Sequence, residues 1–181
     1  MLTSLLQKGL SEINLSFEDS QIEQLKDYLE LLVKWNKAYN LTAITNPQKM
    51  VAYHVLDSLA IINEIPEKSF CLDVGTGAGL PGIPLAIMLP ESKWVLLDSN
   101  GKKTRFVQQA IASCGLSNVN VVHSRIQDYH ADSSFDVIVS RAYSSVSDFV
   151  SSVTPIWQVN TRLITMKTEL SKAEKQSLDS A

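Results

Sequence analysis

Two hydrophobic periods divide the chain near residue 68. Before it, apolar residues recur every three or four positions. Ile22, Leu25, Leu29 and Leu32 form one stripe, and Tyr28, Leu31, Trp35 and Tyr39 form a second. That spacing predicts an amphipathic helix whose wide apolar face packs against a larger body. Ser16 with Asp19 behind it reads as the capping box, with an acid shorter than usual. Asn46-Pro47 predicts a second helix start, Asn as N-cap and Pro in the first turn. Met50, Val51, His54, Val55, Ser58, Leu59 and Ile62 share its face, and Pro66 closes the region. From residue 69 short apolar runs alternate with helical stretches. Phe70–Val74, Lys93–Asp98, Val119–His123, Phe135–Ser140 and Arg162–Met166 read as strands. Pro81–Leu89 and Lys102–Cys114, the latter closed by Gly115, read as helices. This alternation predicts an α/β protein with a parallel sheet and right-handed crossovers. Ligands of such sheets bind at the carboxyl ends of the strands. The division is a helical cap over 1–68, a sheet domain over 69–167 and a polar segment over 168–181. That last segment offers only Leu170, Ala173 and Leu178 as a weak helical stripe.

Composition narrows the class. The chain has 181 residues, 45% of them apolar and 19% charged, which suits one domain with a small extension and excludes a disordered chain. No apolar run approaches the length of a membrane span. The N-terminus lacks the basic flank and long apolar core of a secretory signal, so a cytoplasmic location is expected. Cys71 and Cys114 make neither a disulfide framework nor a metal cluster and read as small buried hydrophobes. Formal charge is −3, all of it carried by the first 68 residues. Such a protein exerts no global pull on nucleic acid, so any nucleic-acid partner must be gripped by a local patch.

The candidate chemistry centres on glycine. Four of the seven glycines fall at Gly75, Gly77, Gly79 and Gly82, directly after the first strand and before a helix. Asp98 ends the second strand, where a carboxylate can accept from both hydroxyls of a ribose. A dinucleotide would lay its diphosphate on this loop, and Asp73, two residues before Gly75, would repel it. S-adenosylmethionine carries a sulfonium and an ammonium instead, and suits Asp73 and the Gly-x-Gly-x-Gly spacing better. Asp73 also reads as a carboxylate that caps loop amides.

Cations cluster at the same end of the sheet. Lys102, Lys103 and Arg105 open a helix, where the macrodipole disfavours them, which points to an RNA phosphate or to a solvated face. Arg125 and Arg141 follow the third and fourth strands, at the ligand end; Arg141 also reads as half of an ion pair. Arg162 begins the fifth strand and reads as structural. Ser140-Arg141-Ala142 stands where enzymes that methylate exocyclic amines carry an Asn/Asp-Pro-Pro-aromatic motif, and no cysteine there can serve as a nucleophile. His54 and Asp57 lie within reach on one helix and are expected to touch, as a structural pair rather than a catalytic one. Spacing gives His123 and His130 no partners. Trp94 and Trp157 read as core.

Five segments in order carry a likeness: Tyr39-Asn40-Leu41-Thr42-Ala43, His54–Leu59, Asp73–Pro84, Leu97–Lys103 and Ser140-Arg141-Ala142. Together they resemble the bacterial 16S ribosomal RNA methyltransferase G family, also called glucose-inhibited division protein B, over roughly residues 15–167. The resemblance implies a Rossmann-like class I S-adenosylmethionine-dependent methyltransferase fold with an N-terminal helical cap. It implies methyl transfer to N7 of one guanosine, position 527, of 16S rRNA in the small ribosomal subunit or its assembly intermediate. Family cofactor contacts map onto Gly75, Leu80, Ile126, Gln127 and Arg141; Gly77 and Asp98 join them from the loop geometry. Arg141 and Arg125 are candidates to hold the base or RNA phosphates, with Lys102, Lys103 and Lys167 as further phosphate contacts. No metal and no membrane are expected, and the protein reads as a monomer. The family sheet has seven strands, the last two an antiparallel pair; only five are counted here, so those strands are expected to be missing and the fifth to form an exposed edge. An NAD-binding oxidoreductase and a non-catalytic ribosome-assembly protein are the alternatives.

Overall fold

The computed structural model describes residues 1–141, 143, 145–167, 169, 171, 174 and 175. Its strands are β1 (Phe70–Val74), β2 (Lys93–Asp98), β3 (Val119–His123), β4 (Val137–Arg141) and β5 (Arg162–Met166). All pair in parallel, in the order β3-β2-β1-β4-β5. β4 starts later than its apolar run predicts. Phe135 turns into the core, and Asp136 caps the neighbouring strand, its Oδ2 accepting from the Phe70 N–H at 2.7 Å. The order reverses between β1 and β4, so the carboxyl ends of these two strands flank the crevice where such sheets take ligands.

The three inner strands, β2, β1 and β4, are buried on both faces, which is why they read as near-continuous apolar runs. Cys71, Leu96, Val137 and Val139 face one side; Leu72, Val74, Val95, Leu97 and Ile138 face the other. Helices α1 (Leu2–Glu12), α2 (Asp19–Tyr39), α3 (Pro47–Met50), α4 (Asp57–Leu59), α5 (Gly82–Met88) and α6 (Gly101–Ser113) contribute to the first core, and α7 (Val146–Val153) to the second. The sequence singled out neither α1, which has no side-chain cap, nor α7, whose N-cap Ser145 accepts from the Asp148 N–H at 3.0 Å.

The long stripe on α2 buries Ile22, Leu25, Tyr28, Leu29 and Leu32. Its capping differs from expectation. Glu18 is the N-cap and donates its N–H to Gln21 Oε1 at 2.8 Å, because the longer amide reaches back where Asp19, already in the first turn, cannot. Asn46 does cap α3, its Oδ1 accepting from the Gln48 and Lys49 N–H groups at 2.9 and 3.2 Å. Between α3 and α4 the helix widens into a π-helical turn, Val51–Leu56. All seven residues assigned to its apolar face, Met50 through Ile62, are buried.

β5 forms an edge of the five described strands. The stripe Leu170, Ala173 and Leu178 lies outside the described residues. Trp94 is core, whereas Trp157 is not: it stays 45% exposed, tied through Nε1 to the Thr161 carbonyl at 3.1 Å. Among the described residues no helix is long and apolar enough to cross a membrane.

Candidate active site

β1 ends in a loop that braces itself. The Gly75 and Thr76 N–H groups donate to the Leu97 carbonyl of β2, at 2.8 and 3.0 Å. Gly75 takes φ +71°, and a Cβ there would meet nothing within 4 Å, so the backbone lies open to an approaching ligand. Asp73, fully buried, accepts from Thr76 Oγ1 at 2.6 Å and from the Gly82 N–H at 2.9 Å, both on Oδ2. Its Oδ1 has no partner among the described residues, and burial pushes the carboxyl up to about 7, against the pull of those two donors. Asp73 therefore does cap loop amides. Gly82 is required here for space, since a Cβ would stand 2.8 Å from Asp73 Oδ2 and closer still to Leu96.

Asp98 ties the second strand into the loop. Its Oδ2 accepts from the Gly77 N–H and its Oδ1 from the Asn100 N–H, each at 2.8 Å. Asn100 then caps α6 by accepting from the Lys102 and Lys103 N–H groups. A cavity of about 250 Å³ lies against these groups, lined by Gly75, Asp98, Ser99, Arg125, Ile126, Gln127 and Tyr143 among others. The chain thus brings together four of the expected cofactor contacts: Gly75, Asp98, Ile126 and Gln127. Gly77 lies one hydrogen bond behind them on Asp98, and Leu80 is packed into the core.

Arg141 belongs to a second, larger cleft of about 1070 Å³, beside Tyr53, His54, Asp57, Tyr143 and Lys167. Tyr143 lines both cavities and packs on Phe149 with ring centroids 5.5 Å apart. The sequence reading passed over it; an aromatic two residues past a strand's ligand-end arginine is the signal that could have found it. Arg141 Nη1 donates to the Tyr53 carbonyl and to Asp57 Oδ2, each at 3.2 Å. Asp57 is therefore paired with Arg141 and not with His54. The imidazole turns the other way: Nδ1 meets the Tyr53 carbonyl at 3.1 Å and Nε2 meets Thr42 Oγ1 at 2.8 Å. A carbonyl only accepts, so Nδ1 carries the proton and Nε2 accepts from the Thr42 hydroxyl. Burial lowers the imidazole's affinity for a second proton, with the Arg141 charge acting in the same direction.

The remaining cations divide. Lys102 and Arg105 are exposed on α6, Lys103 is half-buried, and Arg125 is exposed at the rim of the smaller cavity. Lys167 Nζ sits 2.7 Å from Glu174 Oε1, which also accepts from the Val146 N–H at 2.9 Å. Lys167, with further help from backbone donors, holds the Glu174 carboxyl down to about 2. Arg162 is structural, as expected, donating to the Glu64 carbonyl. His123, given no partner by spacing, has Nε2 3.0 Å from the Ser99 carbonyl, because parallel pairing of β2 and β3 brings the two strand ends together.

These groups fit an adenosyl ligand without phosphates. The smaller cavity offers a carboxylate for ribose hydroxyls, an open backbone at Gly75 and apolar Ile126. A diphosphate would need the amides at the head of α5, and Asp73 already holds the first of them, Gly82. That occupancy argues against the dinucleotide alternative.

Comparison with known proteins agrees. The structure resembles precorrin-6y C5,15-methyltransferase from Geobacter metallireducens, with TM-score 0.54 and 14% identity, covering 78% of this chain and 72% of that one. It also resembles ribosomal protein L11 methylase from Lactobacillus delbrueckii subsp. bulgaricus, with TM-score 0.56 and 14% identity, covering 71% and 65%. Fold and site define a class I S-adenosylmethionine-dependent methyltransferase. The family model for rRNA small subunit methyltransferase G (GidB) matches residues 21–181. Ribosomal RNA small subunit methyltransferase G of Pseudomonas syringae pv. tomato is 50% identical over 162 residues, 90% of this chain and 76% of that protein. The chain belongs to the rRNA small subunit methyltransferase G family.

Proposed function

We propose that this protein methylates N7 of a guanosine in 16S rRNA of the small ribosomal subunit or its assembly intermediate. When bound, S-adenosylmethionine supplies a methyl group activated by its sulfonium. The smaller cavity would hold it, with Asp98 on the ribose and Gly75, Ile126 and Gln127 around the adenosyl group. Leu80 and Gly77 support that wall from behind, and Arg141 closes the side toward the larger cleft. The larger cleft would take the base.

One observation carries the choice of atom: among the described residues, the imidazole lining the cleft is locked between Tyr53 and Thr42, and the Asp57 carboxylate near it is paired with Arg141. Guanine N7 has a free lone pair and loses no proton, so transfer to it needs alignment and water exclusion rather than a general base. Arg141 and Arg125 would orient the base and its phosphate, and Lys102, Lys103 and Lys167 would add phosphate contacts. With a net charge of −3, grip on free RNA is modest, and the particle presents the target. A monomer acting in the cytoplasm, where 16S rRNA is assembled, suits this reading.

The test is methyl transfer to small subunits from cells lacking the protein, with the modified guanosine mapped by mass. Arg141→Ala is expected to lower the rate about 100-fold or more. A wild-type rate in that variant would remove Arg141 from the site, and an unmethylated guanosine in wild-type reactions would overturn the function.

A further inference from the structure

We propose that Asp57 and Arg141 together read the N1–O6 edge of the target guanine, and that Asp57 is a catalytic residue of the transfer. This rests on the functional reading above and names the atoms that choose the base. Arg141 Nη1 lies 3.2 Å from Asp57 Oδ2, and both side chains line the larger cleft. Asp57 is 53% exposed there, and its Oδ1 has no hydrogen-bond partner among the described residues. An accepting oxygen therefore stands beside a donating guanidinium on one wall. The Tyr53 carbonyl of the π-helical turn fixes the guanidinium from a second side, at 3.2 Å.

Guanine offers the complementary pair, with N1–H as donor next to O6 as acceptor. Adenine offers the reverse, N1 as acceptor next to the N6 amino group as donor, and would leave both protein groups facing their own kind. N7 takes no part in these contacts, so it remains free to face the neighbouring cavity across Tyr143.

Asp57 also meets a charge that appears only during reaction. The N7 lone pair forms the new N–C bond while the S–C bond breaks and sulfur keeps its electron pair. No proton leaves, so the positive charge passes from sulfur to the purine. A carboxylate on N1–H lies where that charge develops, and such placement acts on the rate rather than on ground-state binding.

The experiment uses small-subunit particles reconstituted with guanosine, inosine or 2,6-diaminopurine riboside at the target position. Inosine keeps N1–H and O6 and lacks the 2-amino group; 2,6-diaminopurine keeps N7 and the 2-amino group but carries the reversed edge. Wild type is expected to methylate guanosine and inosine within about 10-fold of each other, and diaminopurine at least about 100-fold more slowly. Asp57→Ala is expected to lose about 100-fold in kcat on guanosine and most of that base preference. Asp57→Asn keeps an accepting oxygen without the charge, so it retains the preference and loses kcat. Melting with S-adenosylhomocysteine bound is expected to be unchanged in both variants, which a purely structural role would not allow. A wild-type rate for Asp57→Ala on guanosine, or rejection of inosine as strong as that of diaminopurine, would overturn the inference while the functional reading stands. Failure of wild type on guanosine particles would overturn both.

Discussion

The two cavities that share Tyr143 are built in opposite ways. The smaller is braced by neighbours: behind its Gly75 wall, Thr76 and Gly82 bond to Asp73, and Asp98 of the adjacent strand holds Gly77. The larger is assembled across the chain, for Asp57 and Arg141 stand 84 positions apart. A pocket of the first kind is fixed whenever the sheet forms. One of the second kind depends on how the π-helical turn and α4 pack beside β4, so its chemistry can be tuned without disturbing the cofactor's place.

Changes to either cavity test that division. The largest effect is expected from Gly82→Ala, whose Cβ would collide with Asp73 and Leu96. It should destabilise the fold by about 1–3 kcal/mol and abolish S-adenosylmethionine binding, read by urea melts and calorimetry. Wild-type affinity in this variant would break the comparison at its first term. Asp98→Asn removes a charged acceptor and should weaken cofactor affinity about 10–100-fold with the larger cleft intact; a change confined to RNA binding would contradict the assignment.

Asp73→Asn gives a pH signature. In the folded chain the Asp73 carboxyl sits near 7, above its ordinary 3.8. Between those values the folded chain holds a proton that the unfolded chain has released. This group's contribution is therefore greatest at low pH and is lost as pH rises through about 7, at no more than about 1.4 kcal/mol per pH unit. The Asn variant should show a flatter stability profile from pH 4 to 7 and the same profile above it. Denaturant titrations at several pH values would show this, and an unchanged slope would count against a buried, protonated Asp73. The smallest effect belongs to the cap. Thr42→Val leaves the His54 Nε2 without its donor and should cost about 1 kcal/mol in melting experiments, with cofactor affinity unchanged.

The same contrast explains what the sequence disclosed. β1 and β2 were legible because strands covered on both faces are near-continuous apolar runs between turn residues, and the partly covered outer strands β3 and β5 because their valines, leucine and isoleucine still stand out between polar turns. The glycine loop was legible because its partners are close in sequence and its spacing is specific. Asp73 was readable only as two alternatives, since its choice of the Gly82 N–H depends on α5 packing over β1. The partner of Arg141 was hidden for a related reason. Helical spacing placed His54 beside Asp57, but the π-helical turn rotates the ring toward Thr42 and leaves the carboxylate facing β4. Trp157 was misjudged because bulk alone suggests burial, whereas its indole N–H is tied to the Thr161 carbonyl in the turn before β5 and the ring stays half-exposed.

The carboxyl at the head of α5 would also discriminate against the cell's nucleotide pool. Adenosine triphosphate and its relatives share the purine and sugar that this enzyme must recognise, and they compete for any pocket shaped to those parts. Here the amide that would greet their phosphates is already satisfied from within, and freeing it would leave the buried Asp73 with the Thr76 hydroxyl as its remaining donor. Such rejection of abundant competitors would be built into the resting fold and would need no moving gate.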